Sequence, residues 1–215
     1  MKKWHVAIEE YSSKALTRDA DVFPALQGVA KILRWERNCE YYAGLWADTL
    51  IWDLLWIAHD TSQPAIWRAP SWSWASVKDK VLWDVSGRAT EIIASVVDVF
   101  TTPVGTDSFG QLKNGLLWLR APCIDVILRH NGHYRFDETQ ADGFSEDHAS
   151  FKDSVLASSE GVRVRVAQMV TDWYLTFIRV DDHSQRYKRI GIFDCRGLLS
   201  RYSAEKREWM EFQVI

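Results

Sequence analysis

Three cysteines in 215 residues, Cys39, Cys123 and Cys195, are too few and too widely spaced for a disulfide framework. No Cys-x-x-Cys or Cys–His spacing offers a zinc site. The five prolines and eleven glycines form no repeat and no low-complexity tract. Apolar runs are short and broken by charge, which excludes a membrane-spanning helix. The basic start Met1-Lys2-Lys3-Trp4-His5 meets Glu9 and Glu10 before any apolar stretch develops, so it does not read as a signal peptide. No Asn-x-Ser/Thr sequon occurs. Charge of one sign is also missing. Lys+Arg 26 against Asp+Glu 29 gives −3, leaving no electrostatic footprint for nucleic acid. These absences predict a reduced, cytoplasmic chain that binds no nucleic acid, no membrane, no metal and no cofactor.

What is abundant is tryptophan, twelve residues in a chain that is 47% hydrophobic and 26% charged. That balance is globular, with enough apolar surface to offset chain entropy. Nine of the twelve tryptophans fall between Trp4 and Trp83.

Two regimes follow along the chain. Residues 1–76 read as helix and loop. Trp4, Ile8 and Tyr11 share one helical face. Asp21 reads as a helix cap and Pro24 as a first-turn residue, ahead of Phe23, Leu26, Ala30 and Leu33 at helical spacing. Thr17 adds a further capping side chain. Asp48 reads as the cap of a third helix striped by Ile51, Leu54 and Leu55. In Ser71-Trp72-Ser73-Trp74, large and small residues alternate as in an extended segment.

Residues 77–215 read as strands at 92–100, 115–119, 124–128, 162–166, 173–180, 189–193 and 209–215. Pro122 parts the second from the third, residues 103–110 form a turn-rich link, and residues 181–184 form a turn. Residues 131–161, with Asp137, Glu138, Asp142, Glu146, Asp147 and Asp153, read as a long solvated acidic excursion. The fold expected is α+β, a small N-terminal helical lobe (1–76) on a mainly antiparallel β-rich lobe (77–215), in one cooperative domain.

Motif chemistry is sparse. His130 and His133 flank Asn131-Gly132, a turn signal, so helical metal-ligand spacing does not apply. With His148 they read as solvated loop histidines. The acidic run lacks the calcium-loop pattern. Ser71, Ser73 and Ser76 sit in no nucleophile elbow, and no phosphate-binding glycine loop is present. Tryptophan faces can stack on sugars or bases, yet Trp4, Trp118 and Trp173 occupy core-like positions.

The first half resembles a specific family. Trp4-His5-Val6-Ala7-Ile8-Glu9-Glu10-Tyr11-Ser12, Leu16-Thr17, and Asp21-Val22-Phe23-Pro24-Ala25-Leu26-Gln27-Gly28-Val29-Ala30 are similar to W-x-x-I-V-E-x-Y-S, L-T and D-x-L-P-A-L-S-G-L-A. These occur after the HET domain of fungal heterokaryon incompatibility proteins. Val22-Phe23 and Gln27 depart mildly from that form. Tyr41-Tyr42-Ala43-Gly44-Leu45-Trp46 resembles Y-x-A-G-L-W, and Leu54-Leu55-Trp56 the L-L-W that follows. Ala69-Pro70-Ser71-Trp72-Ser73-Trp74-Ala75-Ser76 resembles A-P-S-W-S-W-A-S without a gap. Tyr187-Lys188-Arg189-Ile190-Gly191-Ile192-Phe193 is a looser likeness to Y-x-R-I-G-x-F.

The resemblance implies a non-catalytic C-terminal regulatory or scaffold region, serving non-self recognition and programmed cell death through protein partners, among them a HET domain in cis or in trans. The HET domain itself is expected to be absent, because the likeness begins at residue 4. None of the matched residues is known as catalytic. Their expected roles are structural. Gly28 would let another element approach its helix, Gly44 would bend the chain, and Trp72 and Trp74 would anchor one lobe on the other. Two other readings stay open: a small-molecule or carbohydrate-binding module using exposed tryptophans, and an enzyme of unrecognised type in which groups such as His130, His133 or Asp181 converge.

Overall fold

One 19-residue strand, β6 (Leu112–His130), organises the molecule. The computed structural model describes residues 1–14, 16, 18–59, 62–78, 80–84, 91–130, 133–137, 139–140, 144–147, 149–181, 184–195, 198–199, 202 and 206–215. Thr17, Asn131, Gly132, Glu138, Asp142, His148, Asp182 and His183 lie outside them.

On one edge, β6 pairs with β13 (Glu208–Val214). Its other edge pairs first with β5 (Ser95–Pro103) and then with β10 (Val162–Val170). Sequence reading divides β6 at Pro122; the strand runs through it. Pairing with β5 reaches Arg120, and pairing with β10 begins at Cys123. Pro122 falls in the gap between those partners, where a residue without an N–H is tolerated in a sheet.

β10 continues antiparallel into β11 (Trp173–Arg179), and β11 into β12 (Arg186–Asp194). β12 meets β13 in parallel through Arg186 and Tyr187, opposite Gln213 and Val214. β6, β10, β11, β12 and β13 therefore close a ring of five strands. An odd ring cannot close with antiparallel pairs alone, and the β12–β13 contact supplies the parallel one.

The ring has two cores. All five strands contribute to the first, with Leu119 and Ala121, Ala167, Leu175 and Phe177, Tyr187 and Ile192, and Phe212. Only the inside of the ring can collect them. Arg165 is buried there too, gripping Asp125 with both ends of its guanidinium (2.8 and 2.9 Å) and lying 4.5 Å from the centre of the Tyr187 ring. The second core lies outside the ring on Ile124, Val126, Leu128, Val164, Val166, Tyr174 and Phe193. Along β6 the buried positions change parity at Cys123–Ile124, which passes the strand from one core to the other.

Residues 131–161 cover that second core rather than forming a solvated excursion. They carry β7 (Tyr134–Phe136), β8 (Thr139–Gln140), β9 (Ser145–Glu146) and α4 (Ala149–Ala157). Phe136, Phe144, Phe151 and Val155 are buried in it. Those four apolar side chains outweigh the surrounding acids, which is why the composition alone misleads.

The N-terminal segment continues the first core. α1 (Lys2–Ser12) buries Trp4, His5 and Ile8, on the face its spacing predicts. α2 (Gln27–Arg37) begins later than expected. Asp21 closes a single 3-10 turn, and Pro24 lies in the turns before the helix, where its carbonyl accepts from Gln27 N–H at 3.3 Å. The tight turns of 19–26 displace the regular helix toward its C-terminal end. A short hairpin follows, β1 (Tyr41–Tyr42) and β2 (Leu45–Trp46), then one turn of α3 (Leu50–Asp53). β3 (Ile57–Ala58) pairs with β4 (Val81–Leu82). The architecture is thus α+β with N-terminal helices on a mainly antiparallel sheet. Among the described residues no helix is long and apolar enough to cross a membrane.

Candidate functional site: a cationic cleft over an indole core

The Tyr42–Leu45 hairpin turns on Ala43 and Gly44, with φ of +48° and +92°. Two positive φ values in a two-residue loop match the right-handed twist of a hairpin. The turn points the Gly44 carbonyl at two indoles. Trp4 Nε1 donates to it at 3.0 Å and Trp74 Nε1 at 3.1 Å. A Cβ on Gly44 would sit 2.9 Å from Cε2 of Trp74, so the ring rests directly on the turn. Ser73 Oγ donates to the Ala43 carbonyl at 2.6 Å and accepts from Ala75 N–H at 3.1 Å. The serine between the tryptophans is therefore a buried clasp, and residues 71–76 form a turn and a 3-10 helix rather than an extended run. Trp56 Nε1 donates to the Trp72 carbonyl at 3.1 Å, while the indole N–H of Trp72 has no acceptor among the described residues.

Most of the matched residues that the structure describes have a place in this assembly. Leu45 and Trp46 are fully buried, and the Arg37 guanidinium lies 4.9 Å from the Trp46 ring centre. Tyr11 donates to the Val22 carbonyl at 2.9 Å and meets Trp74 edge-on. Pro70 is buried and accepts from Ser73 N–H at 2.9 Å. Gly191 admits Phe144, whose Cζ would lie 2.6 Å from a Cβ there. Gly28 differs from expectation. It is exposed, with no neighbour within 4 Å of where a Cβ would stand. Asp48 does not cap α3 either. It pairs with Arg37, while Asp53 accepts from Trp46 N–H at 2.9 Å and Thr49 Oγ1 at 3.0 Å.

Ser71 joins this core to the ring. Its N–H and hydroxyl both donate to the Ile215 carbonyl, and its Oγ accepts from Arg189 N–H at 3.0 Å. The Arg189 side chain is fully buried. Nε donates to Asp147 at 2.8 Å, Nη2 to Asp147 at 3.2 Å and to the Trp56 carbonyl at 2.6 Å, and Nη1 to the Leu54 carbonyl. Trp56 lies 3.5 Å beneath the guanidinium carbon. Burial pushes the Arg189 guanidinium down from its ordinary value, and the Asp147 carboxylate opposes that shift. Asp147, read from sequence as a solvated acid, is the buried partner of a cation 42 positions away. No local pattern announces such a pairing.

Sequence reading also missed a second buried pair. His5 Nε2 lies 2.7 Å from Asp53 Oδ1, and Trp83 stacks flat on the imidazole at 4.3 Å. The two residues are 48 positions apart, and no local pattern relates them.

Above Ser71 and Arg189 lies a cleft of about 960 Å³. Its walls carry Arg68, Lys113, Arg186, Lys188 and Arg189, and no Asp or Glu among the described residues. Arg68 is spent on the carbonyls of Ala75 and Val77, and Arg189 on those already named. Lys113, Arg186 and Lys188 are exposed and make no ion pair among the described residues. Trp67 and Phe100, 53% and 47% exposed, stand among the lining residues.

The histidines read from sequence lie elsewhere. His130 meets Tyr134 edge-on at the end of β6, and His133 is exposed. Asp181 accepts from Ser184 N–H at 2.7 Å in the β11–β12 connection. Among the described residues no three His, Cys, Asp or Glu side chains are grouped to hold a metal ion.

No protein-family model, curated protein or solved structure matches this chain.

Proposed function

We propose that this chain is the non-catalytic regulatory or scaffold region of a fungal heterokaryon-incompatibility-type protein, acting inside the cell in non-self recognition and programmed cell death. It works through protein contact, and its partner is a HET domain in the same polypeptide or in another. The outer face of α2 supports this reading. Val29, Ile32 and Trp35, spaced three apart, are 51%, 63% and 89% exposed. Ion pairs flank them, Lys31 with Asp107 and Arg34 with Glu40. A bare tryptophan in an apolar stripe with a polar rim has the anatomy of an interface hot spot. The tryptophans that carry the family likeness support it as well, since Trp4, Trp46, Trp56, Trp72 and Trp74 are spent on packing.

Titration of a purified HET domain against this chain by calorimetry tests the proposal. Binding is expected, and Ile32→Asp with Trp35→Ala should weaken it at least about tenfold, or about 1.4 kcal/mol. The melting temperature should not move, because both side chains are exposed. No binding, or equal binding by the double variant, overturns the proposal.

A further inference from the structure

We infer that the cleft above Ser71 and Arg189 is a binding site for a nucleoside phosphate. The inference does not depend on the HET partner proposed above. The cleft volume, about 960 Å³, falls near the upper end of the roughly 300–1,000 Å³ that small-ligand sites occupy. The chain carries −3 overall, yet this wall has no acidic side chain among its described residues and three cations without a partner. Lys113, Arg186 and Lys188, which have no ion-pair partner among the described residues, together concentrate positive potential in one concavity where a compact polyanion would enter. Lys113 stands at the start of β6, and Arg186 and Lys188 at the start of β12. They approach from two different strands. The Asn114 amide lies beside them as a further polar group.

Phosphate chemistry accounts for half of the wall. The other half is aromatic. Trp67 and Phe100 offer half-exposed rings to the same space. A flat base can stack on such a ring. Free phosphate would leave both rings unused, and a neutral sugar would leave three cations unused. A molecule with a phosphate group and a planar ring uses both. The buried floor is already built: Arg189 and Arg68 are saturated by carbonyls and carboxylates, so they hold the wall in place and leave contact with the ligand to the three exposed cations.

Calorimetry on the full chain tests this with four probes: ATP, pyrophosphate, adenosine and a decaglutamate peptide. ATP should bind with a Kd below about 1 mM. Pyrophosphate and adenosine should each bind at least about tenfold more weakly, because each satisfies one half of the wall. Lys113→Ala with Lys188→Ala should weaken ATP at least about tenfold, and Trp67→Ala should weaken ATP and adenosine but not pyrophosphate. All three positions are exposed, and unchanged melting temperatures will show that the variants fold. Three results overturn the inference: no ATP binding at about 5 mM, decaglutamate bound more tightly than ATP, or ATP affinity unchanged in the lysine variant.

Discussion

Replacing Trp74 by alanine should remove a large part of the stability of this molecule. Trp74 is 2% exposed and meets Tyr11 and Phe23 edge-on at 6.1 and 6.2 Å. Truncating a buried aromatic costs about 3–5 kcal/mol, depending on how far the site can collapse. Here the floor is Gly44, which has no side chain to move into the space, and the turn beneath is fixed by two positive φ values. The upper half of the range applies. The lost hydrogen bond adds little, because the Gly44 carbonyl keeps its bond from Trp4. The expected loss is about 4–5 kcal/mol, which lowers the melting temperature by about 8–20 °C at 2–4 °C per kcal/mol for a chain of this size. Urea unfolding at neutral pH measures it. Trp74→Phe, which keeps a ring but loses the N–H, should cost about 1–2 kcal/mol. Trp72→Phe should cost less than Trp74→Phe, since it removes a buried indole N–H that has no acceptor among the described residues. A Trp74→Ala loss below about 1 kcal/mol would mean that the indole is not a core anchor.

Three further outcomes follow from the same geometry. Asp147→Asn strands the Arg189 cation in the core and should cost about 3–5 kcal/mol, whereas Asp147→Leu combined with Arg189→Met should recover much of that in thermal melts. Gly28→Ala, in open space on an exposed helix, should stabilise by about 0.5–1 kcal/mol by urea unfolding; a loss would place an unseen neighbour there. Burial pushes the Cys123 thiol and the Tyr174 phenol up to about 12 each, so both stay neutral in the folded chain while the unfolded chain ionises first. Stability should be full below about pH 9 and fall from there toward pH 12. Cys123→Ala should flatten that fall in melting temperatures taken across the range, and an unchanged slope would contradict the burial argument.

Local periodicity made much of the fold legible. Trp4, Ile8 and Tyr11 marked α1, and the alternating valines of 162–166 marked β10. Long-range pairing was less readable. Pro122 looks like a strand breaker until two different neighbours, β5 and β10, are seen to meet beside it. The four apolar side chains of residues 136–155 were masked by acids, so a core cover read as a solvated loop. Ser71 to Ser76 alternates like a strand, but buried carbonyls recruit Ser73 and the indoles into a tight turn, an outcome set by partners 30 positions away. The cleft was illegible for the same reason. Trp67, Phe100, Lys113 and Lys188 come from a loop and from β5, β6 and β12, and no spacing along the chain relates them.

The tryptophan-rich segment and the five-stranded ring share one core. Urea unfolding followed at once by tryptophan fluorescence and by far-ultraviolet circular dichroism checks this. Nine of the twelve tryptophans lie before residue 84, so fluorescence weights the N-terminal segment, while dichroism weights the strands. Coincident transitions with one midpoint are expected. A fluorescence midpoint well below the dichroism midpoint would show the segment leaving the ring on its own, and would contradict the shared core.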